Sequence, residues 1–213
     1  MVVGLLFSCT SDIESAEDIL GKGESSSSGG SLLNSSSSIG GGSSSSGAPL
    51  SGTSGKFEDS RDKQSYKWVK IGTQIWMAQN LNYNASGSKC YDNLDSNCET
   101  YGRLYNWETA KVACPSNWHL PTQAEWDVLG NNAKKLKATS FGGTDDYGFS
   151  ALPGGYGSSG GSFLGVGDYG LWWSANEYSS DYAYDRDMGY NHGYAFWDYD
   201  GKSYLFSVRC VQD

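Results

Sequence analysis

The chain has 213 residues, with 15 Lys and Arg against 24 Asp and Glu, a net charge of -9 and a pI near 4.6. Such an acidic balance argues against nucleic acid as a partner, because phosphate binding needs clustered Lys and Arg. No run of eighteen apolar residues occurs, so no membrane-spanning helix is expected.

In chain order, Val2, Val3, Gly4, Leu5, Leu6 and Phe7 form a short apolar run closed by Ser8-Cys9. An apolar stretch ending in a small residue and a cysteine resembles a lipoprotein signal, with Cys9 as the lipid-modified first residue of the mature chain. The segment is shorter than the ~15–30 residues of ordinary signals and lacks a charged start. Residues 10–56 read as a tether. Between Gly21 and Gly55, 25 of 35 residues are Ser or Gly. A segment of that composition cannot offset its chain entropy by burial, and it would span roughly 30–35 Å as a flexible coil.

All eight Trp and all fifteen Tyr lie between Tyr66 and Tyr204, so one folded domain is expected over 57–213. A domain of that size buries roughly 70% of its unfolded surface. Tyr66–Ile71 and Thr73–Met77 alternate as two strands around Gly72. Asn106–Ala113 has helical spacing at Trp107, Ala110 and Cys114. Pro121 and Thr122 open a second helix, Thr122 and Glu125 form a capping box, and Trp126, Leu129 and Ala133 share one face. Short aromatic strands follow at Phe149–Leu152, Leu171–Ala175, Tyr182–Tyr190, Tyr194–Trp197 and Tyr204–Cys210. The expected fold is therefore α+β: two short helices and irregular antiparallel strands joined by long Gly-rich loops.

Of five cysteines, Cys90, Cys98, Cys114 and Cys210 fall inside this domain. No Cys-x-x-Cys pair and only two His are present, so two disulfides are a better reading than zinc.

The segments Lys70–Tyr83, Tyr101–Trp107, Ala113–Thr122, Trp172–Ala175 and Phe206–Val211 resemble, in order, the Fibrobacter succinogenes major paralogous domain family. That family has no established activity and is distantly similar to the formylglycine-generating-enzyme and C-type-lectin-like fold group. The resemblance implies an exported surface domain, often on lipoproteins, of C-type-lectin-like fold, with Cys114–Cys210 closing it. Four cysteines permit three pairings; Cys90 and Cys98 are close enough in sequence to staple the polar loop between them.

Chemistry is sparse. Gly155-Tyr-Gly157-Ser-Ser-Gly160 and Gly165-Val-Gly167-Asp-Tyr-Gly170 match a dinucleotide-loop pattern, but neither opens a helix in a βαβ unit. His119, between Trp118 and Leu120, reads as a hydrogen-bonded residue locking a turn rather than a general base. The paired active-site cysteines of formylglycine-generating enzymes do not carry over, since all four domain cysteines have structural uses. No catalytic residue and no cofactor is assigned. Asp198 and Asp200 are weak calcium-ligand candidates on a turn.

From Tyr169 to Phe206, thirteen of 38 residues are aromatic. Strand alternation puts Tyr182, Tyr184, Arg186, Met188 and Tyr190 on one face and Asp185 and Asp187 on the other. Rings beside polar groups offer flat apolar area with a polar rim at low entropy cost. Trp172, Trp173 and Phe206 are assigned to the core, and Tyr178, Tyr182, Tyr184, Arg186, Tyr190, His192 and Trp197 to ligand contact. The expected function is non-catalytic binding of carbohydrate or another surface protein. The protein is expected to be a monomer at the outer membrane or cell surface, held by its lipid alone. The alternatives are an enzyme of the formylglycine-generating type or a structural envelope component.

Overall fold

A computed structural model describes residues 52–213. Cys9 and the tether up to residue 51 lie outside the described residues. The first strand, β1 (Ser54–Glu58), begins ahead of the expected domain start at 57.

Two antiparallel-rich sheets are built from twelve strands, with four short α-helices between them. In the first sheet β1 pairs with β2 (Ser65–Ile71), which turns at Gly72 into β3 (Gln74–Met77). Gly72 takes a φ of 61°, a conformation that costs glycine little. The expected hairpin is present with its apolar residues inward. After α1 (Asp95–Tyr101), β4 (Leu104–Tyr105) joins the second sheet, and α2 (Trp107–Ala113) follows. The Asn106 side chain caps α2 by accepting from the Thr109 N–H at 2.8 Å. Strand β5 (Trp118–His119) returns to the first sheet. The capping box on α3 (Gln123–Val128) forms as expected between Thr122 and Glu125. That helix stops before Gly130 (φ 72°), and Ala133 belongs to α4 (Ala133–Leu136). Trp126, Leu129 and Ala133 nonetheless enter one core cluster.

The second sheet holds the aromatic half of the chain. A hairpin of β6 (Gly154–Gly157) and β7 (Phe163–Val166) leads to β8 (Tyr169–Glu177), β9 (Tyr182–Gly189) and β10 (Ala195–Gly201). The chain closes with β11 (Phe206–Ser207) and β12 (Val211–Gln212). The sheet orders are β1-β2-β3-β12-β5 and β10-β9-β8-β11-β4, with β6 also paired to β8. Thus β11 and β12, three residues apart, stitch one sheet to the other.

The balance of elements is more β-rich than expected. The described residues have four short α-helices rather than two, because α1 starts within the loop that Cys90–Cys98 closes and runs past it, and the second expected helix is divided into α3 and α4. Phe149–Leu152 is not a strand; its Ala151 forms a single bridge to Lys137. Tyr204–Cys210 yields only the two-residue β11. The Gly-rich β6–β7 hairpin carries no apolar alternation, which is why periodicity does not reveal it.

Both disulfides are made, Cys90–Cys98 and Cys114–Cys210. Trp172, Trp173 and Phe206 are fully buried, as assigned. Because the centre of β8 is covered on both faces, Trp172 feeds one core cluster and Trp173 the other. The indole N–H of each finds an acceptor: Asn80 Oδ1 at 2.9 Å and Tyr105 O at 2.7 Å. Asn80 is a hub, since its Oδ1 also accepts from Arg209 Nε at 2.7 Å and its Nδ2 donates to Tyr101 O at 2.8 Å. Arg209 is fully buried without a carboxylate partner. Its guanidinium donates to the carbonyls of Met77, Phe149 and Ser150, and desolvation lowers its pKa to about 9. A buried cation so placed converts four acceptors into a cross-brace between the sheets.

Candidate functional site

The β9–β10 hairpin forms the outer edge of the second sheet, and its two faces differ in chemistry. Direct cross-strand partners share a face in an antiparallel pair. Tyr182 faces Gly201, Tyr184 faces Tyr199, and Arg186 faces Trp197. On the opposite face Ala183, Asp185 and Asp187 meet Asp200, Asp198 and Phe196.

The first face is an aromatic cluster. Tyr178, in the loop between β8 and β9, stacks on Tyr199 with ring centroids 3.9 Å apart and planes within 10°. Tyr184 meets both rings edge-on, at 5.4 and 6.5 Å. Tyr182 approaches Tyr199 edge-on at 6.1 Å, and Tyr184 approaches Trp197 at 6.5 Å. Tyr178, Tyr182 and Tyr199 are exposed, whereas Tyr184 and Trp197 are half-buried beneath them. Tyr178, stacked beside it, raises the Tyr199 pKa. The rings therefore present a stepped surface rather than a flat row.

This surface is held from below. The N–H groups of Tyr178 and Ser179 both donate to Tyr182 O at 3.0 Å. Lys202 ties the same loop down through Ser180 O at 2.7 Å and the Glu177 carboxylate, with its ammonium 4.6 Å from the Trp107 ring centroid. Trp197 Nε1 donates to Asp127 Oδ1 at 2.9 Å.

Four of the seven expected contact residues converge here: Tyr178, Tyr182, Tyr184 and Trp197. Arg186 requires correction. It is only 3% exposed, donates to Gly130 O at 2.9 Å and lies 4.8 Å beneath the Trp197 ring centroid. Arg186 thus supports the platform and is not free to meet a ligand. Tyr190 and His192 belong elsewhere, in the loop at the far end of the hairpin. The buried Lys137 holds that loop by donating to the carbonyls of Gly189, Tyr190 and His192 at 2.9, 3.0 and 2.9 Å. Tyr199 was missing from the expected set; two-residue alternation from Trp197 places it on the aromatic face.

The opposite face is acidic. Asp185 has no exposed surface, and both its carboxylate oxygens lack a donor from the protein. Burial first, and then Asp187 beside it, pushes the Asp185 pKa up to about 10; burial also lifts Asp187 to about 7. Like charges in a dry site cannot both ionise, so the pair holds a shared proton at neutral pH. Asp198 and Asp200, the two weak calcium candidates, lie on this face. Among the described residues no group of three or more His, Cys, Asp or Glu side chains is arranged to hold a metal ion.

His119 does lock a turn. Its Nδ1 and Nε2 meet Asp213 Oδ1 at 2.5 Å and Glu125 Oε1 at 2.7 Å, and Glu125 is the carboxylate of the α3 capping box. Desolvation lowers the His119 pKa, but the two carboxylates outweigh it and the net shift is upward. A folded-state pKa above the unfolded one means stabilisation fully present below pH 6.5 and lost as pH rises through the folded value. His119→Gln is expected to flatten this loss above pH 6.5 in thermal melts recorded at a series of pH values. An unchanged slope would show that the imidazolium contributes nothing to the fold.

A cleft of about 230 Å³ lies between β2 and α1, lined by Tyr66, Asn80, Tyr101 and neighbours. It is smaller than the ~300–1,000 Å³ typical of small-molecule pockets, whereas a more open cleft of about 490 Å³ beside the β2–β3 turn, lined by Ser54, Lys70, Gly72 and Tyr147, falls within that range. The exposed aromatic side chains are concentrated on and beside the β9–β10 hairpin.

These features define a disulfide-closed, mainly antiparallel domain that displays an aromatic platform on one edge. Residues 69–212 match the model of the Fibrobacter succinogenes major domain, and the chain belongs to that family. No curated protein and no solved structure matches it.

Proposed function

We propose that the domain is a non-catalytic carbohydrate-binding module displayed at the cell surface, joined by the Ser/Gly tether to a lipid on Cys9. The observation that carries this reading is the pre-stacked cluster of Tyr178, Tyr182, Tyr184, Trp197 and Tyr199. Aromatic faces pack against the apolar side of a sugar ring, and phenol and indole edges serve its hydroxyls. Rings already held by one another lose little freedom on binding. Their stepped arrangement suits soluble glycan chains better than a crystalline polysaccharide plane. Two disulfides fit an oxidising, extracytoplasmic compartment. A C-type-lectin-like fold is part of the same proposal, supported by short helices beside two antiparallel-rich sheets and a bond from Cys114 to Cys210.

The test is titration of the full chain with a panel of soluble plant-fibre oligosaccharides, read by Trp fluorescence and calorimetry. Tyr199→Ala and Trp197→Ala are each expected to weaken binding by about 5-fold or more, as loss of a stacking ring costs about 1–3 kcal/mol. A blank panel, or affinities untouched by both substitutions, would remove the carbohydrate reading. Capture of a surface protein that depends on the same rings would then identify the partner class.

A further inference from the structure

The loop that joins β9 to β10 is held more tightly than the core requires. Residues Tyr190–Tyr194 are all exposed, and none of them enters a core cluster. Yet Lys137, only 2% exposed, donates from its ammonium to the carbonyls of Gly189, Tyr190 and His192 rather than to a carboxylate. Burying an ammonium group is costly, and the cost is offset only where its donors are used. Three backbone bonds add to the grip: Tyr190 N–H to Asp168 O at 2.7 Å, Ala133 N–H to Gly193 O at 3.0 Å, and Ala195 N–H to Asn131 O at 2.8 Å. Tyr, Asn, His and Gly make up this loop, an uncharged mixture of the kind that recognition loops use.

The fixed loop completes a row of rings across three strands. Tyr169 on β8 is the register partner of Gly189 on β9, and Phe196 on β10 is the partner of Asp187. Gly189 and Asp187 are two residues apart, so Tyr169 and Phe196 point to the same side. His192 fills the place between them. A methyl group on Gly189 would lie 2.6 Å from His192 Cδ2 and 3.4 Å from Tyr169 Cε1, so both rings pack over this glycine. His192 meets Phe196 edge-on with ring centroids 5.6 Å apart. At the usual strand spacing the row covers about 10 Å. Tyr169, His192 and Phe196 are all exposed. They lie on the face of the hairpin opposite the Tyr199 platform.

We propose that Tyr169, His192 and Phe196 form a second sugar-binding surface, which takes neutral glycan chains. This inference rests on the carbohydrate reading of the platform. Two aromatic surfaces on opposite faces of one hairpin suit a polymer that repeats its epitope, whereas a folded partner presents an epitope once. Exposed carboxylates stand at both ends of the row, Asp168 next to Tyr169 and Asp198 two residues from Phe196. No Lys or Arg occurs between Asp187 and Gly201, so an anionic glycan is repelled.

The chain has two histidines, His119 locked between carboxylates and His192 in this row, so the imidazole C–H signals in NMR spectra report the surface directly. Cellohexaose, xylohexaose and, as the anionic control, hexagalacturonate would be titrated into the full chain. A neutral hexasaccharide is expected to shift the His192 signals and leave those of His119 in place. Tyr199→Ala should leave that response intact. Tyr169→Ala and Phe196→Ala, both at exposed positions, should each weaken it by about 5-fold or more. Sugar binding confined to the platform, with His192 silent, overturns the second surface and leaves the carbohydrate reading standing. A His192 response with affinity untouched by Tyr199→Ala and Trp197→Ala removes the platform and keeps this surface. Silence at both overturns both. An equal response to hexagalacturonate, or capture of a surface protein that depends on Phe196 without any sugar response, overturns the neutral-glycan assignment.

Discussion

A Cys114→Ser/Cys210→Ser double variant is expected to lose roughly 4–5 kcal/mol of stability in the chain-entropy model of loop closure. The bond spans 96 residues of sequence, so without it the unfolded chain regains the freedom of most of the domain. Its position adds to the effect. Cys210 lies between β11 and β12, the two short strands that complete the two sheets. Each contributes two residues, too few to hold its place by backbone hydrogen bonds alone. For a domain of this size the loss corresponds to a fall in melting temperature of roughly 10–15 °C, measured by circular dichroism. A matched Cys90→Ser/Cys98→Ser variant opens a loop of only 8 residues and should lose roughly 2–3 kcal/mol. Were the short-loop variant the less stable of the two, loop closure would not be the source of the stability.

The second expected result has the opposite sign. Asp185→Asn should stabilise the domain by roughly 1–3 kcal/mol at pH 8, because it removes a buried carboxyl that the fold must keep protonated at a pH where the unfolded chain ionises it. An asparagine amide keeps the size and supplies an N–H toward Asp187, replacing the shared proton with a permanent donor. The pH dependence follows from both carboxyl pKa values being raised, from 3.8 to about 10 and about 7. A raised acid favours the folded state fully below its unfolded value, and that benefit is lost as pH climbs through the folded value. Wild-type stability should therefore fall from about pH 4 upward, with the Asp187 contribution spent near pH 7. Urea unfolding at pH 5 and pH 8 would show a smaller drop in Asp185→Asn than in the wild type. An equal drop, or a destabilised variant at both pH values, would mean that the carboxyl pair is held by contacts that favour its charge.

Taken residue by residue, the legible part of the fold is the part encoded in local chemistry. The alternation of Tyr66–Met77 specifies the β2–β3 hairpin, Asn106 and the Thr122–Glu125 box specify two helix starts, and the spread of cysteines suggests two disulfides. The ordered motifs from Lys70 to Val211 suffice for the family. The aromatic density after Tyr169 marks the strands that carry the candidate site, and a period of two already separates the tyrosines of β9 from its aspartates.

Tertiary structure decided the rest, because burial is a property of neighbours rather than of residue type. Arg186 has the same composition-level signal as a ligand-binding arginine, yet the Gly130 carbonyl and the Trp197 ring enclose it. Tyr190 and His192 are close in sequence to the platform, but the loop pinned by Lys137 carries them to the other end of the hairpin. Asp185 and Asp198 are thirteen positions apart and pair directly across two strands. A run of aspartates in a polar, Gly-rich sequence reads as a solvated surface. Only the core cluster that holds Leu171, Trp173 and Ala183 beside it removes water from Asp185. Once the water is gone, two ordinary carboxylates become a proton-holding pair and the acidic face of the hairpin acquires a chemistry of its own.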